Sequence, residues 1–255
     1  MPIAYTRAVS PTLAHCELTH LEREPLDVAR AAQEHAAYET LLAELGATVR
    51  RLPAEPALPD AVFVEDTAVV LDEIAVITRP GAASRRPETD STAATLAAHR
   101  TLARIEAPGT LDGGDVLVAG RRVIVGVSSR TNRAAIEQCA AILRPFDYAV
   151  IPVGFRGCLH LKSAVTQVAD GLLLINPDWV DAGLFAGMRA ISVDPAEPHA
   201  ANALALGGSV IHPAHHPRTR ARLASEGLRV APIEIAELAK AEAGVTCCSL
   251  LVRKT

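Results

Sequence analysis

Val116-Leu117-Val118-Ala119-Gly120-Arg121-Arg122-Val123-Ile124-Val125-Gly126-Val127 reads as two short apolar strands, 116–119 and 123–127, folded back on each other at Gly120-Arg121. Residues 131–143 follow with the apolar spacing of a helix, and 148–153 with the composition of a further strand. The unit is therefore strand, turn, strand, helix, strand.

The same order recurs on both sides. Upstream, 61–71 and 74–79 flank Asp72-Glu73, and a helix is expected from 87 to about 102. Earlier still, Val28, Ala31, Ala32, His35, Tyr38, Leu42 and Leu45 keep helical spacing, Gly46 stands where a helix C-cap would, and 48–52 reads as a strand. Downstream, 161–168 and 172–175 flank Asp170-Gly171, while 203–206 and 210–212 flank Gly207-Gly208-Ser209 ahead of a helix at about 218–226. Turns near 72, 120, 171 and 208 recur roughly every 40 to 50 residues, the period range of solenoids and propellers. Five mixed units without polar capping repeats favour radial closure, because an open array would leave apolar ends. The expected fold is α/β, a five-bladed propeller of ββαβ-like repeats in one domain spanning 1–255. An open α/β sheet with hairpin insertions is the alternative.

Hydrophobic residues make up 49% of the chain but aromatic ones only 3%, so the core must consist of thin layers of Ala, Val, Leu and Ile, which suits an α/β protein. The formal net charge of −4, without any Lys/Arg run, disfavours nucleic acid and anionic membranes and points to a small-molecule partner. Residues 1–7 lack the apolar core of a signal peptide and no apolar run approaches bilayer-spanning length, so a cytoplasmic protein is expected. Cys16, Cys139, Cys158, Cys247 and Cys248 are odd in number and without CxxC spacing, which predicts free thiols. An apolar outer blade leaves a homodimer open.

Several polar groups sit where a plain structural role and a chemical one compete. Residues 245–252 read as an apolar strand that sends Cys247 and Cys248 to opposite faces, so one of them at most can line a central pocket; two inert core cysteines are the bland alternative. His160, between Leu159 and Leu161 at an expected strand start, is either a base or a satisfied core histidine. Asp112-Gly113-Gly114-Asp115 sets a carboxylate against a turn whose missing side chains admit backbone or ligand, or is simply a tight turn. Glu65-Asp66, with Asp60 just upstream, follows an apolar run; half-buried carboxylates are costly without a cation, and a guanidinium is a natural partner. Arg85 and Arg130 follow the second and third hairpins and suit an α-carboxylate. His212, His215 and His216 lack a zinc spacing, and no dinucleotide, P-loop or zincin motif occurs, so no metal or cofactor is expected.

Phe63-Val64-Glu65-Asp66, Thr78-Arg79-Pro80-Gly81, Leu111-Asp112-Gly113-Gly114-Asp115, Arg130-Thr131-Asn132, Leu159-His160-Leu161-Lys162 and Thr246-Cys247-Cys248-Ser249 together resemble the dimethylargininase (dimethylarginine dimethylaminohydrolase) family, in order and over nearly the whole chain. The resemblance implies a five-bladed α/β propeller that hydrolyses methylated L-arginine to L-citrulline and methylamine or dimethylamine. It implies Cys247 as nucleophile, His160 as general acid/base and Asp112 as third catalytic group. It further implies Leu18 on a mobile lid, substrate contacts from Asp60, Glu65 and Asp66, and Arg85 and Arg130 at the amino-acid end. Glu242 and Ala241 stand near the expected α-amino pocket, within Lys240-Ala241-Glu242-Ala243-Gly244 where the family favours an Asp-Gly pair. An arginine deiminase-like hydrolase releasing ammonia, and a non-enzymatic binding propeller, are the competing readings.

Overall fold

A computed structural model describes residues 1–253. Its strands form five separate three-stranded sheets. In the first, β1 (Ile3–Arg7) leads through α1 (Val28–Glu44) to β2 (Thr48–Leu52), which pairs with it in parallel. Asp27 starts α1 by accepting the N–H groups of Ala29 and Arg30, and Gly46, with φ +94°, takes the chain out of it.

The second sheet joins β3 (Ala68–Val70) and β4 (Ile74–Ile77) in an antiparallel hairpin and returns through α2 (Glu88–Leu96) to the parallel β5 (Thr101–Arg104). The third repeats this with β6 (Val116–Ala119), β7 (Arg122–Val127), α3 (Arg133–Leu143) and β8 (Ala149–Gly154). In the fourth, the short helix α4 (Leu161–Ala164) precedes β9 (Val165–Ala169) and β10 (Leu172–Ile175), and only a 3-10 turn, Ala182–Phe185, bridges to β11 (Arg189–Ser192). The fifth comprises β12 (Leu204–Leu206), β13 (Ser209–Pro213), α5 (Pro217–Ser225) and β14 (Val230–Ile233). After α6 (Ala236–Ala239), β15 (Leu250–Val252) adds antiparallel to β1, so the two ends of the chain complete one blade together and the ring closes.

The hydrophobic pattern explains the layering. Every residue of β4, β10 and β13 is buried, because these middle strands are covered on both faces. The third strands alternate or turn outward, as in the exposed Thr48, Arg50 and Arg51 of β2. Truncating Leu174, fully buried in β10, to alanine is expected to cost about 2–5 kcal/mol. Among the described residues no helix is long and apolar enough to cross a membrane.

The five-bladed α/β ring expected from the repeats is present, with local differences. The helix read from 87 to about 102 ends at Leu96, since 101–104 pairs in parallel with β4. The helix read over 131–143 begins at Arg133, where Asn132 caps it by accepting the N–H of Ala135. Three runs read as strand are not strand at their start: 61–67 is turn and 3-10 helix, 161–164 is α4, and 245–249 is turn. Apolar content there reflects burial at the mouth of a blade instead of strand pairing.

Candidate active site

Those three exceptions share one location. The first strand of each blade is entered through a short irregular segment, and the first strands approach one another around the axis, β15 beside β3, β6 beside β9, and β9 beside β12. Glu65 and Asp66 precede β3, Asp112 precedes β6, His160 precedes β9, Asn202 precedes β12 and Cys247 precedes β15. Equivalent positions of five blades therefore converge, which brings together residues far apart in the chain.

His160 Nε2 lies 3.0 Å from Asp112 Oδ2, and His160 Nδ1 lies 3.9 Å from Asp66 Oδ1. Asp112 is held by the N–H of Gly81, 2.8 Å from its Oδ1, and its own N–H donates to Thr131 Oγ1. Asp66 accepts Arg85 Nη1 at 2.6 Å and the N–H of Gly114 at 2.8 Å. Burial works against a charged imidazole, but Asp66, the hydrogen bond to Asp112 and the charge of Asp115 overcome it and raise the His160 pKa to about 9. Burial likewise works to raise Asp66, yet His160 and Arg85 hold its carboxyl well below the usual range. Asp66, Asp112 and His160 each bring a donor atom within 4.8 Å of the others, a spacing that could hold a metal ion; the imidazolium itself is the cation these carboxylates enclose.

The Gly113-Gly114 turn makes this packing possible. A Cβ on Gly114 would stand 2.5 Å from His160 Nδ1 and 2.9 Å from Asp66 Oδ1, and one on Gly113 would stand 2.0 Å from the Glu65 carbonyl oxygen. Asp115, given no role of its own in the sequence beyond its place in the Asp112–Asp115 motif, is fully buried and accepts the N–H of Leu161 at 2.9 Å, fixing the turn that carries His160.

Cys247 is half-buried, while Cys248 is sealed in the core. The Gly244 N–H points at Cys247 Sγ from 3.3 Å, and the Cys247 carbonyl accepts the N–H of Glu65 at 3.1 Å. Burial first, then Glu65 and Asp66, push the Cys247 thiol up to about 12.

One pocket gathers Asp60, Asp66, Arg85, Arg130, His160, Ala241, Glu242 and Cys247, together with Glu17. Leu18, Glu65 and Asp112 are not among its lining residues. Leu18 packs on the core cluster that includes Val245 and Cys248; Asp112 is fully buried beneath His160; Glu65 is engaged by Lys162 Nζ at 2.5 Å and Thr246 Oγ1 at 2.7 Å. Arg85, nearly sealed, is paired with Glu88 as well as Asp66.

The segment 16–23 is strapped across the mouth by pocket residues. Asp60 accepts the Glu17 N–H at 3.1 Å, and Arg130 Nη2 donates to Thr19 Oγ1 at 3.0 Å. Glu242, a non-glycine residue in the left-handed region at φ +59°, accepts the N–H groups of Thr19, His20 and Leu21. One carboxylate thus holds three consecutive amides of the strap.

A family model described as arginine deiminase matches residues 54–197. With the five-sheet ring and the axial site, it places the chain among the penteins, the guanidino-group-modifying α/β propellers. The N(G),N(G)-dimethylarginine dimethylaminohydrolase of Streptomyces coelicolor is 37% identical over 254 residues, 98% of this chain and 97% of that one. The enzyme of the same description from Pseudomonas aeruginosa is 36% identical over 226 residues, covering 88% and 89%. A solved structure of a mutant Pseudomonas aeruginosa enzyme complexed with citrulline superposes with a TM-score of 0.93 at 34% identity, covering 97% of this chain and 98% of that one. The chain belongs to the dimethylarginine dimethylaminohydrolase family.

Proposed function

We propose that this protein hydrolyses N-ω-methylated L-arginine to L-citrulline and dimethylamine or methylamine, with Cys247 as nucleophile, His160 as acid/base and Asp112 as its carboxylate partner. The observation that carries the reading is the meeting of Cys247, His160 and the carboxylates of Asp60 and Asp66 in one pocket.

The electrostatics suit a cationic substrate. Asp60 and Asp66 give the pocket the acidity that suits a guanidinium, and Arg130 with the region of Ala241 and Glu242 suits its amino-acid end; Arg85, expected at that end, is instead 2.6 Å from Asp66 and paired with Glu88, and braces Asp66. At neutral pH the free site holds a thiol and an imidazolium, given values of about 12 and 9. A bound guanidinium offsets the acids around Cys247, and the thiol proton leaves to solvent. The thiolate attacks the central guanidinium carbon, His160 protonates the departing amine as the C–N bond breaks, and a thiouronium remains. Neutral His160 then takes a proton from water and the hydroxide adds to the same carbon; as the C–S bond breaks, the hydroxyl proton passes to the departing thiolate, which releases citrulline and restores the Cys247 thiol and the imidazolium. Asp112, bonded to Nε2, keeps the imidazole oriented through both proton transfers.

A deiminase-like reading, releasing ammonia from arginine, has the family-model match in its favour. The net charge of −4 supports a small cationic partner over nucleic acid or an anionic membrane, and five free thiols fit a reducing compartment such as the cytoplasm. Iodoacetamide labelling followed by peptide mapping tests the binding reading: dimethylarginine should protect the Cys247 peptide. Equal labelling with and without it would favour a binding propeller with no axial site.

A further inference from the structure

Lys162, Glu65, Thr246 and Asn202 form a closed ring behind the nucleophile. Lys162 Nζ is 2.5 Å from Glu65 Oε1, and Glu65 Oε2 accepts Thr246 Oγ1 at 2.7 Å. Thr246 Oγ1 in turn accepts Asn202 Nδ2 at 3.0 Å, the Thr246 N–H donates to Asn202 Oδ1 at 3.1 Å, and Asn202 Nδ2 also reaches the Lys162 carbonyl at 3.1 Å. The ring is tied to Cys247 twice: Thr246 is its neighbour in the chain, and the Glu65 N–H holds the Cys247 carbonyl. Asn202 also presses against the loop from the side, since a Cβ on Gly244 would lie 2.3 Å from its Cγ. Three blades and the C-terminal segment are thereby locked around one residue.

We propose that Lys162 is a positioning residue for Cys247: through this ring it anchors the nucleophile loop, and its ammonium cancels the charge of Glu65 beside the thiol. The proposal rests on Cys247 being the nucleophile. Both oxygens of Glu65 are already bonded within the ring, so Glu65 acts as a brace behind the pocket wall. The charged groups around Cys247 are Asp60, Glu65, Asp66 and Arg85 from the second blade, Arg130 from the third, His160 and Lys162 from the fourth, and Glu17 and Glu242 at the strap. Arg85 is committed to Asp66 and Glu88, and His160 to Asp112 and Asp66. Lys162 is the cation paired with Glu65. Without Lys162, Glu65 becomes an uncompensated carboxylate near the developing thiolate.

The test is the rate of Cys247 alkylation by neutral iodoacetamide at pH 8 in the full-length protein, where the rate follows the thiolate fraction. Lys162→Met should slow it about tenfold, equivalent to roughly one pKa unit, and Lys162→Arg should restore it. Glu65→Gln should speed it about tenfold above wild type, and Lys162→Met/Glu65→Gln should return it to within about threefold of wild type, because the pair is removed as a unit. A purely structural role predicts the reverse for the double variant, which loses more bonds than either single one. An unchanged rate in Lys162→Met, or a double variant as slow as Lys162→Met, overturns the proposal. If Lys162→Met does not fold, Glu65→Gln alone decides it: a rate no faster than wild type overturns it. Labelling that is altered in these variants but does not map to Cys247 would instead contradict the nucleophile assignment.

Discussion

The imidazole of His160 and the carboxylate of Asp112 meet 3.0 Å apart at the mouths of two different blades, sealed from solvent, with Asp66 on the opposite side of the ring. A histidine enclosed in this way is a cation at neutral pH, and that one property sets much of the protein's response to pH. The folded pKa of about 9 lies above the unfolded value of about 6.5, so the charged form stabilises the fold. That contribution, on the order of 3 kcal/mol, is complete below pH 6.5 and is lost as pH rises through 9. Denaturant midpoints measured between pH 6 and pH 10 should fall in wild type and change much less in His160→Gln.

Gly114 leaves room for the imidazole by having no side chain. Gly114→Ala would push a methyl group into His160 Nδ1 and Asp66 Oδ1, both within 3 Å of the new atom. A displacement near 1 Å at an acid/base group costs about 10²-fold in turnover. The expected result is a kcat lower by about that factor, with KM much less changed. Steady-state kinetics on a variant whose circular dichroism matches wild type checks it.

The thiol of Cys247 is predicted to be poorly reactive in the free protein, because burial, Glu65 and Asp66 disfavour its anion. Alkylation should climb steadily with pH toward about 12, with no plateau near neutrality. A small amidinium or guanidinium ligand that leaves Sγ accessible should move the profile to lower pH, since it supplies the missing positive charge. Identical profiles with and without ligand would show that substrate charge has no part in forming the thiolate.

Glu242 is predicted to govern the strap. Its carboxylate binds three amides at once, and Glu242→Gln replaces charge-assisted hydrogen bonds by weaker neutral ones. Amide exchange at Thr19, His20 and Leu21, followed by hydrogen–deuterium exchange, should accelerate about fivefold to tenfold, and KM should rise while kcat changes little.

Much of the ring was legible in the sequence because its strands are short, apolar and punctuated by Gly and Asp turns: 48–52, 116–119 and 172–175 are strands over those residues. The blade mouths were not. Residues 61–67, 161–164 and 245–249 each adjoin or contain an apolar run that reads as strand, yet their backbone turns so that Asp66, His160 and Cys247 can approach the axis. Pattern alone does not distinguish burial between blades from burial within one. The chemical types at the site came through the resemblance, whereas Asp115, Lys162, Asn202 and Thr246 gave no signal as isolated residues. Asn202 had one positional signal: it stands two residues before the first strand of the fifth blade, and the other four blades carry Glu65-Asp66, Asp112, His160 and Cys247 two to five residues before theirs. Only the closed ring gives that equivalence meaning.

The central claim is tested most directly by measuring citrulline and amine released from asymmetric dimethylarginine, monomethylarginine and arginine by wild type and by Cys247→Ser. Citrulline with equimolar dimethylamine or methylamine from the methylated substrates, abolished by the substitution, is the predicted result. Ammonia released from arginine alone, or turnover that survives in Cys247→Ser, would contradict it.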